Sequence, residues 1–136
     1  MDVLSSRIIL RPTNLLRSQR FYRDTLGLAV YRQFGDPGAP GMVFHVGNGL
    51  LEVSGEETDR PGHGVALWMQ VRDVHAEHRR LSEAGVSILR EPRLEPWGLV
   101  ELWIADPDDV RIVIVEIPDD HPLRQDQRDP SNLGTP

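Results

Sequence analysis

The chain has 136 residues, 39% of them hydrophobic and 26% charged, which fits one globular domain long enough to bury a core. It has no cysteine, which excludes disulfides and thiolate chemistry, and no run of about 18 apolar residues, so no helical membrane span is expected. A net charge of −6 disfavours nucleic acid, whose phosphates need a cationic surface, and implies a mild attraction for cationic ligands. The N-terminus shows neither a basic flank nor an apolar stretch, so no signal peptide and a cytoplasmic location are expected.

Residues 7–11 are β-branched at two positions and stopped by Pro12, which predicts a strand. Asn14 can cap a helix to about Leu26, and Gly27 supplies the left-handed stop. Residues 29–34 form the next predicted strand. The Gly- and Pro-rich residues 35–41 are a loop and a candidate gate. Residues 42–46 and 50–54 are strands joined by the turn Gly47-Asn48-Gly49. Residues 55–63, charged and containing Pro61, are a linker.

The order then repeats. A strand at 64–71 leads to Asp73, which caps a helix to Ala84 stopped by Gly85. A strand at 86–89, a loop at 90–98, a strand at 99–105, a turn at Asp106–Asp109 and a strand at 110–117 follow. Asn14 and Asp73 lie about 59 residues apart, and each opens the same series. The pattern predicts an α+β fold of two tandem βαβββ modules. Module 1 spans about 7–54 and module 2 about 64–117, together one domain over 1–117. The modules form a curved, mostly antiparallel sheet around a concave ligand cavity. Residues 118–136 are polar and Pro-rich and read as a loosely held tail.

Phe21-Tyr22-x3-Leu26-Gly27, the strand–Asp73-Val74 junction, Ala84-Gly85 and Asp106-Pro107-Asp108, in that order, resemble the vicinal oxygen chelate superfamily. That group includes glyoxalases, extradiol dioxygenases and bleomycin resistance proteins. One departure is Asp109-Val110, where the family has Gly-Asn; Asp tolerates the left-handed conformation, so the hairpin is expected to survive. The resemblance implies metal ligands at four positions, which fall here on Arg7, Glu52, Ala66 and Val113. Only Glu52 is a plausible ligand, and a permanently charged guanidinium repels a divalent cation. No metal and no cofactor are therefore expected. A guanidinium can instead neutralise the stranded carboxylate, so Arg7 and Glu52 are expected to pair on neighbouring strands.

Period-two alternation then chooses the cavity face. Arg7, Ile9 and Arg11 point in from the first strand. Ala66, Trp68 and Gln70 point in from the fifth, and Glu101 and Trp103 from the seventh. Pro96-Trp97-Gly98 is similar to the bleomycin resistance branch, which implies that Trp97 stacks on a planar ligand. That branch also implies a homodimer whose subunits share two pockets, with residues 29–44, Phe44 among them, closing the partner's cavity. The expected ligand-contacting set is thus Arg7, Ile9, Arg11, Phe44, Glu52, Trp68, Gln70, Trp97, Glu101 and Trp103. His75 and His78 sit on the second helix, away from the cavity, and His78 reads as packing. His45 and His63 read as solvated or structural. The resulting expectation is a metal-free protein that binds an aromatic natural product and confers resistance by sequestration. A glyoxalase- or dioxygenase-like enzyme, or a metal-free cyclase or isomerase with Glu52 or Glu101 as base and Arg7 or Arg11 binding an anionic group, stays open beside it.

Overall fold

The computed structural model describes residues 2, 7–59 and 65–121. The expectation for His63 and most of the tail lie outside those residues. In the first module, β1 (Ile8–Leu10) leads to α1 (Leu15–Arg20), a π-helical segment (Phe21–Thr25), β2 (Val30–Phe34), β3 (Gly41–Val46) and β4 (Gly49–Val53). The second has β5 (Ala66–Gln70), α2 (Val74–Glu83), β6 (Ser87–Leu94), β7 (Val100–Ala105) and β8 (Arg111–Glu116).

Local chemistry repeats along with the elements. The Asn14 side chain accepts from Arg17 N at 3.0 Å, and Asp73 from Ala76 N at 2.9 Å, satisfying donors that a helix start leaves open. A second donor is met by a glutamate from the module's last strand region. Glu56 accepts from Leu15 N and Glu116 from Val74 N, both at 3.1 Å. Each helical stretch then ends on a left-handed glycine, Gly27 at φ 74° and Gly85 at φ 77°. Asp109 takes the same conformation at φ 63°, so the hairpin tolerates its departure from the family pattern.

Two expectations about elements need correction. The first helix does not run regularly to Leu26. Beyond Arg20 the turn widens, and Leu26 N reaches back five residues to Phe21 O at 2.8 Å. In that turn the adjacent Phe21 and Tyr22 stand edge to face, with centroids 5.1 Å apart. Nor does a loop begin at residue 90, because β6 continues to Leu94. Pro92 is accommodated there because β6 is an edge, where a missing N–H costs no ladder bond.

The strands form two four-stranded sheets, ordered β1-β4-β3-β2 and β5-β8-β7-β6. In each, only the pair made by the first and last strand of the module is parallel. Each module contributes one sheet, the tandem α+β arrangement expected from the sequence, and the sheets are not closed. Leu10, Tyr22, Phe44 and Leu51 of the first module share one core with Leu67, Leu81, Leu102 and Ile112 of the second. Burying both helix-bearing sides together turns the opposite face of each sheet outward, and β1 and β5 are left as edges.

The Asp106-Pro107-Asp108 turn latches the modules. Asp106 Oδ1 accepts from Asp108 N (2.7 Å) and Val110 N (2.9 Å), and its Oδ2 from the Tyr22 hydroxyl (2.8 Å). Asp108 accepts from Thr13 N (3.1 Å), the Thr13 hydroxyl (2.5 Å) and Arg17 Nη2 (3.1 Å). Burial pushes the Asp106 carboxyl above its ordinary range, against the pull of these donors, and pushes the Tyr22 hydroxyl far up. Across the module boundary, Arg80 Nη1 also donates to Thr25 O at 2.8 Å. No helix among the described residues is long and apolar enough to cross a membrane.

Candidate functional site

Two outward faces carry the polar and aromatic side chains. On the first sheet, Glu52 lies opposite Ile9 and Val43, so these three point to one side. Glu52 is 8% exposed. Arg7 Nη1 donates to its Oε1 at 3.1 Å, and the Ser54 hydroxyl to its Oε2 at 2.6 Å. Arg11 donates to Ser54 Oγ and O and stands 3.9 Å from Glu52. The Ser54 hydroxyl, and after it Arg7, hold the Glu52 carboxyl below the ordinary range despite its burial. The expected Arg7–Glu52 pair is present.

The second face is built around Trp103. Trp103 lies opposite Val113, and Val113 opposite Trp68, while Glu101 lies opposite Val115, and Val115 opposite Gln70. Glu101, 6% exposed, accepts Trp97 Nε1 on one oxygen at 2.9 Å and Trp103 Nε1 on the other at 3.1 Å. It is therefore the anchor of two indoles, with both oxygens occupied. Trp97 rides on a tight turn closed by Gly98 N to Glu95 O at 2.9 Å, with Gly98 at φ 89°. His121 Nε2 donates to Trp97 O at 2.9 Å, tying the start of the tail to this turn. Trp97 remains 56% exposed and Trp68 51%.

Sequence reasoning missed four residues here. Arg90 stacks 3.6 Å from the Trp103 ring centroid and pairs with Glu95, and Arg111 lies 4.9 Å from the same centroid. Arg93 Nε donates to Glu95 at 3.2 Å, and Glu95 is 4% exposed. A signal existed for Arg111, which alternates with Val113 and so shares the face of Trp103. For Arg90, Arg93 and Glu95 it was masked by reading residues 90–98 as a loop.

Phe44 does not reach either face. It is fully buried and packs 6.2 Å from Tyr22 in the shared core, because its neighbours Val43 and His45 take the outer side of β3. His45 is exposed and meets Tyr31 edge-on at 5.1 Å. His78 is half-buried on α2. The structure thus brings Arg7, Ile9, Arg11 and Glu52 together on one sheet, and Trp68, Gln70, Trp97, Glu101 and Trp103 on the other. It does not bring the two groups to each other within one chain. Trp68 and Gln70 also line a groove of about 610 Å³ against the β3–β4 turn of the first module.

The residues at the four implied ligand positions do not fit a divalent cation. Glu52 already has a guanidinium on one oxygen and a hydroxyl on the other, while Ala66 and Val113 have no donor atoms. Among the described residues, no three His, Asp or Glu side chains group as a metal site.

The model of the Glyoxalase/Bleomycin resistance protein/Dioxygenase superfamily matches residues 5–114. No curated protein matches the sequence. A superfamily member from Sphaerobacter thermophilus shares 24% identity at a TM-score of 0.65, covering 85% of this chain and 97% of its own. SMU.1112c shares 21% identity at a TM-score of 0.70, covering 85% and 99%. TnmS3, an antibiotic binding protein from Streptomyces sp. CB03234, shares 20% identity at a TM-score of 0.69, covering 86% and 100%. At these identities the structural likeness establishes the fold.

Proposed function

The chain belongs to the Glyoxalase/Bleomycin resistance protein/Dioxygenase superfamily, and from that premise we propose that it binds a planar aromatic natural product without a metal, protecting its host by sequestration. The observation that carries this reading is Trp97. Its indole N–H is tied to Glu101 and its backbone carbonyl to His121, yet more than half of its surface is open. A ring held by its edge with its surface free is prepared for stacking, worth about 0.5–1.5 kcal/mol beyond the area it buries. Donor chemistry at the four implied ligand positions supports a metal-free role. TnmS3, of the same fold, lends support from outside the chain. The open edges of β1 and β5 support a homodimer, since pairing them across two chains would join the faces that one chain keeps apart.

Tryptophan-fluorescence titration with the neutral planar probe anthraquinone-2-carboxamide tests the proposal. Saturable binding is expected, weakened about fivefold to tenfold by Trp97→Ala and unchanged by EDTA. Failure of this probe and of other fused-ring neutral aromatics to bind, or binding that requires added Ni²⁺ or Fe²⁺, would overturn it.

A further inference from the structure

The chain is acidic overall, yet its two outward sheet faces are cationic. Arg7, Arg11 and Arg32 stand on the first, Arg32 opposite Val43 and so on the side of Glu52. Arg90, Arg93 and Arg111 stand on the second, opposite Trp103, Glu101 and Ala105. Against these six guanidiniums the faces set Glu52, Glu95 and Glu101. Every one of those carboxylates is engaged by donors from the chain itself: Glu52 by Arg7 and Ser54, Glu95 by Arg90 and Arg93, Glu101 by two indoles.

The guanidiniums are less fully used. Arg111 is exposed and, among the described residues, pairs with no carboxylate; its contact is the Trp103 ring. Arg90 Nε is buried with no hydrogen-bond partner among the described residues. An arriving molecule therefore meets the exposed guanidinium of Arg111, while Glu95 and Glu101 are already engaged. All fifteen basic residues of this sequence are arginines, whose planar fork matches a carboxylate in two bonds where lysine offers a point charge. Arg111 also lines a hollow of about 390 Å³ with Val65, Leu89, Ala105 and Asp109. Trp103 lies on the same strand face as Ala105, one alternation closer to Glu101 and its partner Trp97.

From this arrangement we infer that the ligand is an anionic planar aromatic: its ring lies on the tryptophan face and its carboxylate, or an equivalent oxyanion, meets Arg111. Asp109 also lines that hollow. The inference reverses the attraction for cations that net charge alone implies, because a ligand against the sheet responds to the local guanidiniums more than to distant, screened acids.

The inference rests on the reading of the face as a planar-ligand site, and the test separates the two. Anthraquinone-2-carboxylate, anthraquinone-2-carboxamide and 2-(aminomethyl)anthraquinone are titrated side by side at about 0.1 M salt. The carboxylate is expected to bind about tenfold more tightly than the amide, and the ammonium analogue least tightly. Arg111→Gln lowers carboxylate affinity more than amide affinity and so removes most of that margin. Equal binding of all three probes, tightest binding of the ammonium analogue, or a margin untouched by Arg111→Gln overturns the inference while the planar-ligand reading stands. Binding of none of the three overturns both.

Discussion

Replacing Arg7 by methionine isolates the charge pair that occupies the implied metal position, while keeping an apolar stem over the sheet. Arg7 Nη1 is 3.1 Å from Glu52 Oε1, and the arginine side chain is 35% exposed. Raw Coulomb attraction at that separation and an effective dielectric near 20 is roughly 5 kcal/mol. Exposure of the arginine, salt screening and the entropy of ordering its stem reduce this strongly. The variant leaves a sheltered carboxylate that keeps the Ser54 hydroxyl at 2.6 Å and Arg11 at 3.9 Å. A net loss of about 1–2 kcal/mol at neutral pH is expected, or roughly 3–8 °C in melting temperature for a chain of this size.

The sign of its pH dependence follows from Glu52. Its folded-state pKa lies below the ordinary 4.5, so the unfolded chain binds more protons as pH falls through that value. The stabilisation is complete above the ordinary pKa and lost as pH drops through the folded one. The penalty of Arg7→Met is therefore full near neutrality and fades below about pH 4.5. Urea unfolding of the parent, Arg7→Met, Glu52→Gln and the double variant measures it, with an expected coupling of about 1 kcal/mol. A coupling below about 0.3 kcal/mol, or a penalty that stays the same in acid, would refute the reasoning.

The inter-module latch and the helix stops give two further expectations. Tyr22→Phe removes the hydroxyl that donates to buried Asp106 and is expected to cost about 1.5–3 kcal/mol by chemical denaturation. Asp106 already titrates above its ordinary 3.8, so its contribution to stability falls as pH rises through that window. Losing the hydroxyl raises the pKa further, so the Tyr22→Phe penalty shrinks once acid protonates the carboxyl. Gly27→Ala and Gly85→Ala are each expected to cost about 1 kcal/mol. Neither added Cβ meets an atom within 4 Å, so the two losses measure left-handed backbone alone and should agree; a marked inequality in urea midpoints would show that the module ends are not equivalent.

Much of the architecture was legible from local chemistry. Asn14 and Asp73 announced the helix starts, Gly27 and Gly85 their ends, and period-two alternation placed Glu52, Glu101 and Trp103 on the right faces. These signals act over one turn or one strand, so neighbours along the chain suffice to state them. Three features were not legible in this way. Residues 90–94 read as a loop until β6 is known to be an edge that accommodates Pro92. Phe44 reads as a contact residue until its side of β3 is known to be the one that packs on Tyr22. The role of the Asp-Pro-Asp turn appears only when Thr13, Arg17 and Tyr22 arrive from about ninety residues away in sequence.

The sequence by itself determined the two modules, their internal order and the chemistry each sheet face carries, because hydrogen-bonding caps and side-chain alternation are properties of short segments. Only the tertiary structure decided how those modules meet. Burying both helix-bearing sides in one core leaves β1 and β5 as open edges, separates the Arg7–Glu52 face from the tryptophan face, and commits the Glu101 oxygens to two indoles. Such choices depend on which apolar surfaces pack together across the whole chain, and no short stretch of residues contains them.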